Sequence, residues 1–142
     1  MRTSRDEALT VIQRELTAFA RRVRGRVHEV QPDLTFVAYA LLDHIRATEN
    51  CHAAELAGFF GLEKSTLSRQ LTVLEREGLI ERVPAGADRR VRGLQLTAEG
   101  ERKLHSADSR LKLTLDSQLA QWPDESLDLF AALLARFTHD AA

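Results

Sequence analysis

Residues Glu63 to Thr97 read EKSTLSRQLTVLEREGLIERVPAGADRRVRGLQLT, and the apolar period changes within that stretch. Leu67, Leu71 and Leu74 recur at i, i+4 and i+7, one stripe of a 3.6-residue period. Ser65, Ser68, Arg69, Thr72 and Arg76 fall around or opposite that stripe. One face is therefore anchored, and the other offers hydroxyl and guanidinium groups. Gly78 stops the helix, because glycine alone takes the left-handed cap conformation without a Cβ penalty. Leu79 to Val83 follows as a short strand, and Pro84 to Asp88 carries turn residues. Val91 to Leu96 returns, with Leu94 and Leu96 alternating against Gln95. The tip between the strands is Asp88-Arg89-Arg90, with Arg92 just beyond.

A helix with a polar outer face, followed at once by a hairpin with arginines at its tip, suits a DNA duplex. The geometry is that of a winged helix-turn-helix. The major groove admits a helix and presents donors and acceptors on its base edges, so Lys64, Ser65, Thr66, Ser68, Arg69 and Thr72 are expected there. A narrow minor groove attracts an inserted guanidinium, expected to be Arg90. Asp88 would orient the wing by a charge-assisted hydrogen bond. Arg82, Arg89 and Arg92 are expected on phosphates, which position without reading sequence. The alternative is a solvated helix and hairpin on an ordinary surface. Charge favours the DNA reading: Lys64 to Arg92 holds seven Lys/Arg against four Asp/Glu, a local +3 in a chain of net charge −1. A chain so near neutral must bind nucleic acid through a local patch.

Working outward, Ala53 to Phe60 reads as a short helix with Leu56, Ala57 and Phe60 inward, and Gly61-Leu62 turns into the helix above. A short helix, a tight turn and a longer helix make the helix-turn-helix arrangement. Asn50-Cys51-His52 is a connector with room for a single bridge of strand. Before it, Thr35 caps a helix from about Phe36 to Thr48, with Val37, Leu41 and Ile45 as its main stripe and Phe36 and Ala40 beside them. Ser4-x-x-Glu7 is a capping box. From it, Leu9, Ile12, Leu16, Phe19, Val23, Val27 and Val30 step by threes and fours along one helix ending before Pro32. Its polar face carries Arg14, Arg21, Arg22, Arg24 and Arg26, with solvation the expected role for most of them. After the wing, Thr97 caps a long helix whose stripe is Leu104, Leu111, Leu115, Leu119 and Trp122. Pro123 fits the first position of a last helix, with Asp124 and Glu125 well placed for its dipole. That helix carries Leu127, Phe130, Leu134 and Phe137. The expected fold is mostly α with a small β-hairpin wing. Residues 33–97 form the winged helix-turn-helix core, and 1–32 and 98–142 form helices whose stripes two copies would bury by packing together. The alternative is that these helices pack only on their own core.

The length of 142 residues bounds this to one domain, large enough for a real core. An apolar fraction of 44% and a charged fraction of 29% are ordinary for a globular protein. No stretch approaches the ~20 apolar residues of a membrane span, and MRTSRDEALT has no apolar signal core, so a cytoplasmic protein is expected. A single cysteine agrees with a reducing compartment. Catalytic motifs are missing: there is no phosphate loop, no Gly-x-Ser-x-Gly and no His-Glu-x-x-His. Cys51, His52 and His44 lack the spacing of a zinc set. No enzyme activity, metal or cofactor is expected.

LSRQLTVLEREGLIERVPAGADRRVRGLQLTAEG resembles the recognition helix and wing of the MarR family of bacterial regulators. The matching features are Ser68-Arg69, then Leu74-Glu75-x-x-Gly78-Leu79-Ile80-x-Arg82, then Asp88-x-Arg90, then Leu96-Thr97-x-x-Gly100. The flanking helices match as well, so the resemblance covers essentially the whole chain. It departs at His52, where the family pattern has Thr or Ser capping the short helix. The resemblance implies a homodimeric regulator, most often a repressor, on a pseudo-palindromic operator in double-stranded DNA and responsive to a ligand or an oxidant. It also implies an effector pocket between the dimer helices and the winged core, for which Tyr39 and His44 are candidate polar groups and Arg22 a partner for a carboxylate. Oxidant-sensing relatives carry a cysteine near the start of the first helix. Cys51 instead precedes the third helix, whose N-terminal dipole could lower a nearby thiol pKa. The preferred reading of Cys51 is a small buried hydrophobe. The rival from another class is a helical protein-binding module without DNA binding; the presence of Ser68, Arg69, Asp88 and Arg90 argues against it.

Overall fold

A computed structural model of the chain describes residues 4–30, 34–84 and 92–140, with the side chains of 26–30 excepted. The elements run α1 (Arg5–Val30), α2 (Phe36–Ala47), α3 (Ala53–Phe60), α4 (Lys64–Arg76), β1 (Ile80–Pro84), β2 (Arg92–Leu96), α5 (Ala98–Leu119) and α6 (Asp124–Asp140). Two compact units result, Met1–Asp108 and Ser109–Ala142.

Local chemistry sets the helix starts. The capping box closes in both directions: the Ser4 N–H donates to Glu7 Oε2 at 2.8 Å, and the Glu7 N–H to Ser4 Oγ at 3.2 Å. The Thr35 hydroxyl accepts from the Ala38 N–H at 3.1 Å. Gly78 at φ 72° ends α4 in a Schellman motif. There the Leu79 N–H donates to the Leu74 carbonyl at 2.9 Å, and the Gly78 N–H to that of Glu75 at 3.0 Å.

The core lies in the first unit. Leu34, Leu41, Leu42 and Ile45 meet Leu56 of α3, Leu67, Leu71 and Leu74 of α4, Leu79 and Ile80 around the start of β1, Leu94 of β2, and Leu104 and Ala107 of α5. No side chain with a charge or hydrogen-bonding group is fully buried among the described residues. The two strands pair antiparallel with Ile80 opposite Leu96 and Pro84 opposite Arg92. Cys51 adds the expected single bridge, its carbonyl accepting from the Leu94 N–H at 2.8 Å.

Thr97 and Gly100 tie the wing to α5. The Thr97 hydroxyl donates to the Gly78 carbonyl at 2.5 Å and accepts from the Gly100 N–H at 3.0 Å. A Cβ at Gly100 would collide with the Leu79 carbonyl oxygen, so only glycine lets α5 approach this closely.

Several expectations need correction. In α2 the buried stripe is Ala38, Leu41, Leu42 and Ile45; Val37 is only half-buried, and Phe36 faces solvent. The stripe is wider than the period alone suggests because α2 packs against both α1 and β2, and Leu42 is fully buried in the shared core. Pro84 belongs to β1; β2 is described from Arg92, and the expected start at Val91 lies outside the described residues. The expected wing tip Asp88-Arg89-Arg90 lies outside the described residues. Pro123 stands one place before α6, its carbonyl accepting from the N–H groups of Ser126 and Leu127.

In the second unit, α6 has no buried residue. Phe130, Leu133, Leu134 and Phe137 are exposed, and Trp122 lies against Phe130 with ring centroids 5.7 Å apart. In α1, Leu9, Ile12, Leu16 and Phe19 are likewise exposed.

Candidate nucleic-acid interface

Helix α4 is held from below by Leu67, Leu71 and Leu74, each almost completely buried. Their burial fixes the helix in rotation as well as position, because all three lie on one face. Ser65, Ser68, Arg69 and Arg76 are then exposed, with Thr66 and Thr72 at the margin. Two of these side chains turn back on their own helix. Arg69 Nε donates to the Ser65 carbonyl at 3.3 Å, and the Thr72 hydroxyl to that of Ser68 at 2.8 Å.

The N-terminus of α4 combines two departures from local helix-start rules that occur singly elsewhere, the missing first-turn acid in α2 and the missing side-chain cap in α3. Helices α1, α5 and α6 carry acidic residues in their first turns: Asp6 and Glu7, Glu99 and Glu101, Asp124 and Glu125. Helix α4 has none, and Glu63 at its N-cap makes no side-chain cap bond. Lys64 instead opens the helix, at the end where the macrodipole is already positive. This arrangement is unfavourable for an isolated helix and favourable once an anion docks there. Conflicts of this kind concentrate at functional sites.

Lys64, Ser68 and Arg82 line one shallow depression of about 260 Å³, floored by Leu67 and Leu71 and walled by Ala53 and Ala54 of α3. The fold thus brings together three expected DNA-binding residues from α4 and β1. Arg82 is not fully free: its Nε donates to Glu75 Oε2 at 3.3 Å, an ion pair that joins the end of α4 to β1. Arg92 is exposed at the start of β2. The third helix begins without a side-chain cap at His52, as its departure from the family pattern foretells.

The three residues considered for an effector pocket differ in their surroundings. Tyr39 is directed to α5, its hydroxyl donating to Asp108 Oδ1 at 2.6 Å. Burial, then the bond to Asp108, push the phenol above its ordinary range. His44 lies against α3, with ring centroids 4.3 Å from Phe59 and 5.7 Å from Phe60. Arg22 is exposed on α1. Cys51 is buried beneath β2, and desolvation, with Glu55 adding to it, raises its thiol rather than lowering it. Burial and a raised pKa are the features of an unreactive thiol.

Two features escaped the sequence reading. Asp108 holds Tyr39 and also accepts from Arg46 Nη1 at 2.7 Å, while Arg46 Nη2 reaches Asp43 at 2.6 Å. The bond to Asp108, ahead of other causes, raises the Arg46 pKa. Tyr39 and Arg46 are seven residues apart, two turns on one face, which is the available signal; their partner far along the chain has none. The second is Val73, an exposed apolar residue on the outer side of α4. It lies well off the Leu67-Leu71-Leu74 stripe, and that offset is legible from the period alone.

Comparison with known proteins agrees with this geometry. Residues 33–91 match the pattern of the MarR family. The chain is 30% identical over 128 residues to the uncharacterised HTH-type transcriptional regulator YxaD of Bacillus subtilis (strain 168), covering 89% of this chain and 90% of that protein. The solved structure of MarR superposes with a TM-score of 0.80 at 26% identity, covering 99% of this chain and 95% of that one. The transcriptional repressor CouR, solved bound to a 23-mer DNA duplex, shares the fold with a TM-score of 0.72 at 23% identity, over 97% of this chain and 99% of that one. The winged core, the Thr97-Gly100 junction and near full-length likeness to YxaD lead to one conclusion: this chain belongs to the MarR family of transcriptional regulators.

Proposed function

We propose that this protein represses transcription in the cytoplasm as a homodimer that binds a pseudo-palindromic operator and leaves it on binding a small-molecule effector. The observation that carries the reading is α4: a helix locked by three buried leucines, exposing Ser65, Ser68 and Arg69, and opening on Lys64 with no side-chain cap bond. Lys64, Ser65, Thr66, Ser68, Arg69 and Thr72 meet the major groove, where a bidentate Arg contact to guanine is worth ~1–3 kcal/mol of discrimination. Lys64 and Arg82, sharing one depression, also hold phosphate, as does Arg92. In the wing tip, Arg90 enters the minor groove, oriented by Asp88, and Arg89 takes a phosphate. CouR, of the same fold, is a repressor solved on a duplex, which favours this role. The protein binds and does not catalyse.

The exposed apolar faces of α1 and α6 favour the homodimer. A C2 dimer would place two α4 helices on half-sites one helical turn apart, about 34 Å. The effector reading rests on family membership, with Arg22 the side chain left free to meet a carboxylate. A small molecule is preferred to an oxidant because Cys51 is buried with a raised thiol pKa.

The test is binding to operator and to scrambled duplex over a salt series, for the parent and Arg69→Ala, with circular dichroism to confirm folding. A base-reading Arg69 predicts lost preference within the half-site. Equal binding of parent to operator and scrambled duplex at every salt concentration would refute sequence-specific recognition.

A further inference from the structure

We propose that Val73 is a specificity determinant that reads a thymine methyl group in the major groove, an inference that rests on the DNA-binding reading above. Val73 is 48% exposed on α4, although the anchoring face of that helix is already complete with Leu67, Leu71 and Leu74. A single exposed valine is ordinary on a protein surface. What distinguishes this one is its place. It follows Arg69 by four residues and precedes Arg76 by three, so it neighbours both on the helix surface. Thr72 beside it has its hydroxyl proton committed to the Ser68 carbonyl and can accept from a base but not donate to one.

The second half of the outer face therefore presents an apolar contact flanked by cations. Among the groups that the major groove displays, the thymine C5 methyl is the apolar one. Four residues of helix rise about 6 Å, close to two base-pair steps of about 3.4 Å along the duplex. With α4 lying along the groove, the thymine read by Val73 stands about two base pairs from the base contacted by Arg69. Thymine at that position gains the burial of one methyl group, and loss of that group weakens binding about fourfold per half-site.

The test begins with the duplex that the parent selects from a random pool. Each thymine of a half-site is replaced singly by deoxyuracil, which removes the C5 methyl and leaves every hydrogen-bonding group in place. The parent is expected to lose about fourfold in affinity at one position and little at the others. Val73→Ala, folded by circular dichroism, should bind the thymine and uracil duplexes alike at that position. Arg69→Ala should keep the thymine preference while losing preference at its own base. The proposal is overturned if no single replacement weakens the parent, or if Val73→Ala retains the parental thymine-to-uracil ratio. A parent that enriches no duplex from the pool fails the DNA-binding reading itself, a result distinct from selective binding that ignores the methyl.

Discussion

Helices α4 and α6 carry the same kind of apolar stripe and end in opposite surroundings. In α4, Leu67, Leu71 and Leu74 are each no more than 3% exposed; in α6, Phe130, Leu134 and Phe137 are between 39% and 51% exposed. Periodicity specifies that a face must be covered and says nothing of what covers it. The α4 stripe meets α3 and β1 within its own unit. The α6 stripe lies in the second unit, with Trp122 against Phe130 as its recorded ring contact. The contrast separates two outcomes of one pattern: the winged core buries its own stripes, whereas the stripes of α1 and α6 are exposed.

The largest expected effect breaks this comparison outright. Sedimentation at micromolar concentration should give twice the 16.0 kDa chain mass. Phe130→Asp with Leu134→Asp, which sets two charges into the apolar face, should abolish the dimer altogether. A parent that is a well-folded monomer would remove the reason for the exposed stripe.

A finer cut separates the two stripes by concentration. Leu104 is fully buried in the first unit, so Leu104→Ala should cost about 2–5 kcal/mol in urea unfolding. Leu134→Ala should cost stability that diminishes as protein concentration rises, because dimerisation couples to folding by mass action. Equal concentration dependence for the two variants would mean that the stripes do not differ in partner. At the junction, Gly100→Ala forces the backbone of Leu79 or α5 to move and should cost about 1–3 kcal/mol.

Smaller is the polar fastening of α5 to α2. Tyr39→Phe and Asp108→Asn should each cost about 1–2 kcal/mol, below a fully buried charged hydrogen bond because the Asp108–Arg46 pair is about one-third exposed. The pH dependence has a defined sign. Burial and Asp108 raise the Tyr39 pKa above its ordinary value near 10, so the folded state favours the neutral phenol. Its contribution is complete below about pH 10 and declines as pH rises above it, because the unfolded tyrosine ionises first. The stability difference between parent and Tyr39→Phe should therefore narrow in alkaline titration. A difference that stays constant from pH 9 to 11 would place the phenol outside the network.

Least in stability is Arg82→Ala. Its ion pair with Glu75 is well exposed and should cost less than about 1 kcal/mol on unfolding. On DNA the same change should weaken all sequences alike and lower the salt slope by about one. Unchanged DNA affinity would leave Arg82 as a brace between α4 and β1.

Much of the site was legible because its signals are local. The outer face of α4 follows from the phase of Leu67, Leu71 and Leu74, and its end from Gly78. Less legible were the α2 stripe and the side-chain partners of Tyr39 and His44. Tyr39 looked available for a ligand because its partner, Asp108, is 69 residues away. His44 looked polar, but its ring rests on Phe59 and Phe60.

The sequence by itself determined the helices, their caps and the faces that seek cover, since a capping box or a 3.6-residue stripe is closed by residues three or four apart. Only the tertiary structure decided which faces found cover within the chain and which polar groups were already engaged. The Thr97 hydroxyl reaches Gly78 across 19 residues, and Arg46 reaches Asp108 across 62. The Cys51 carbonyl takes the N–H of Leu94. Such pairs depend on how the elements pack in space, and no local spacing encodes that.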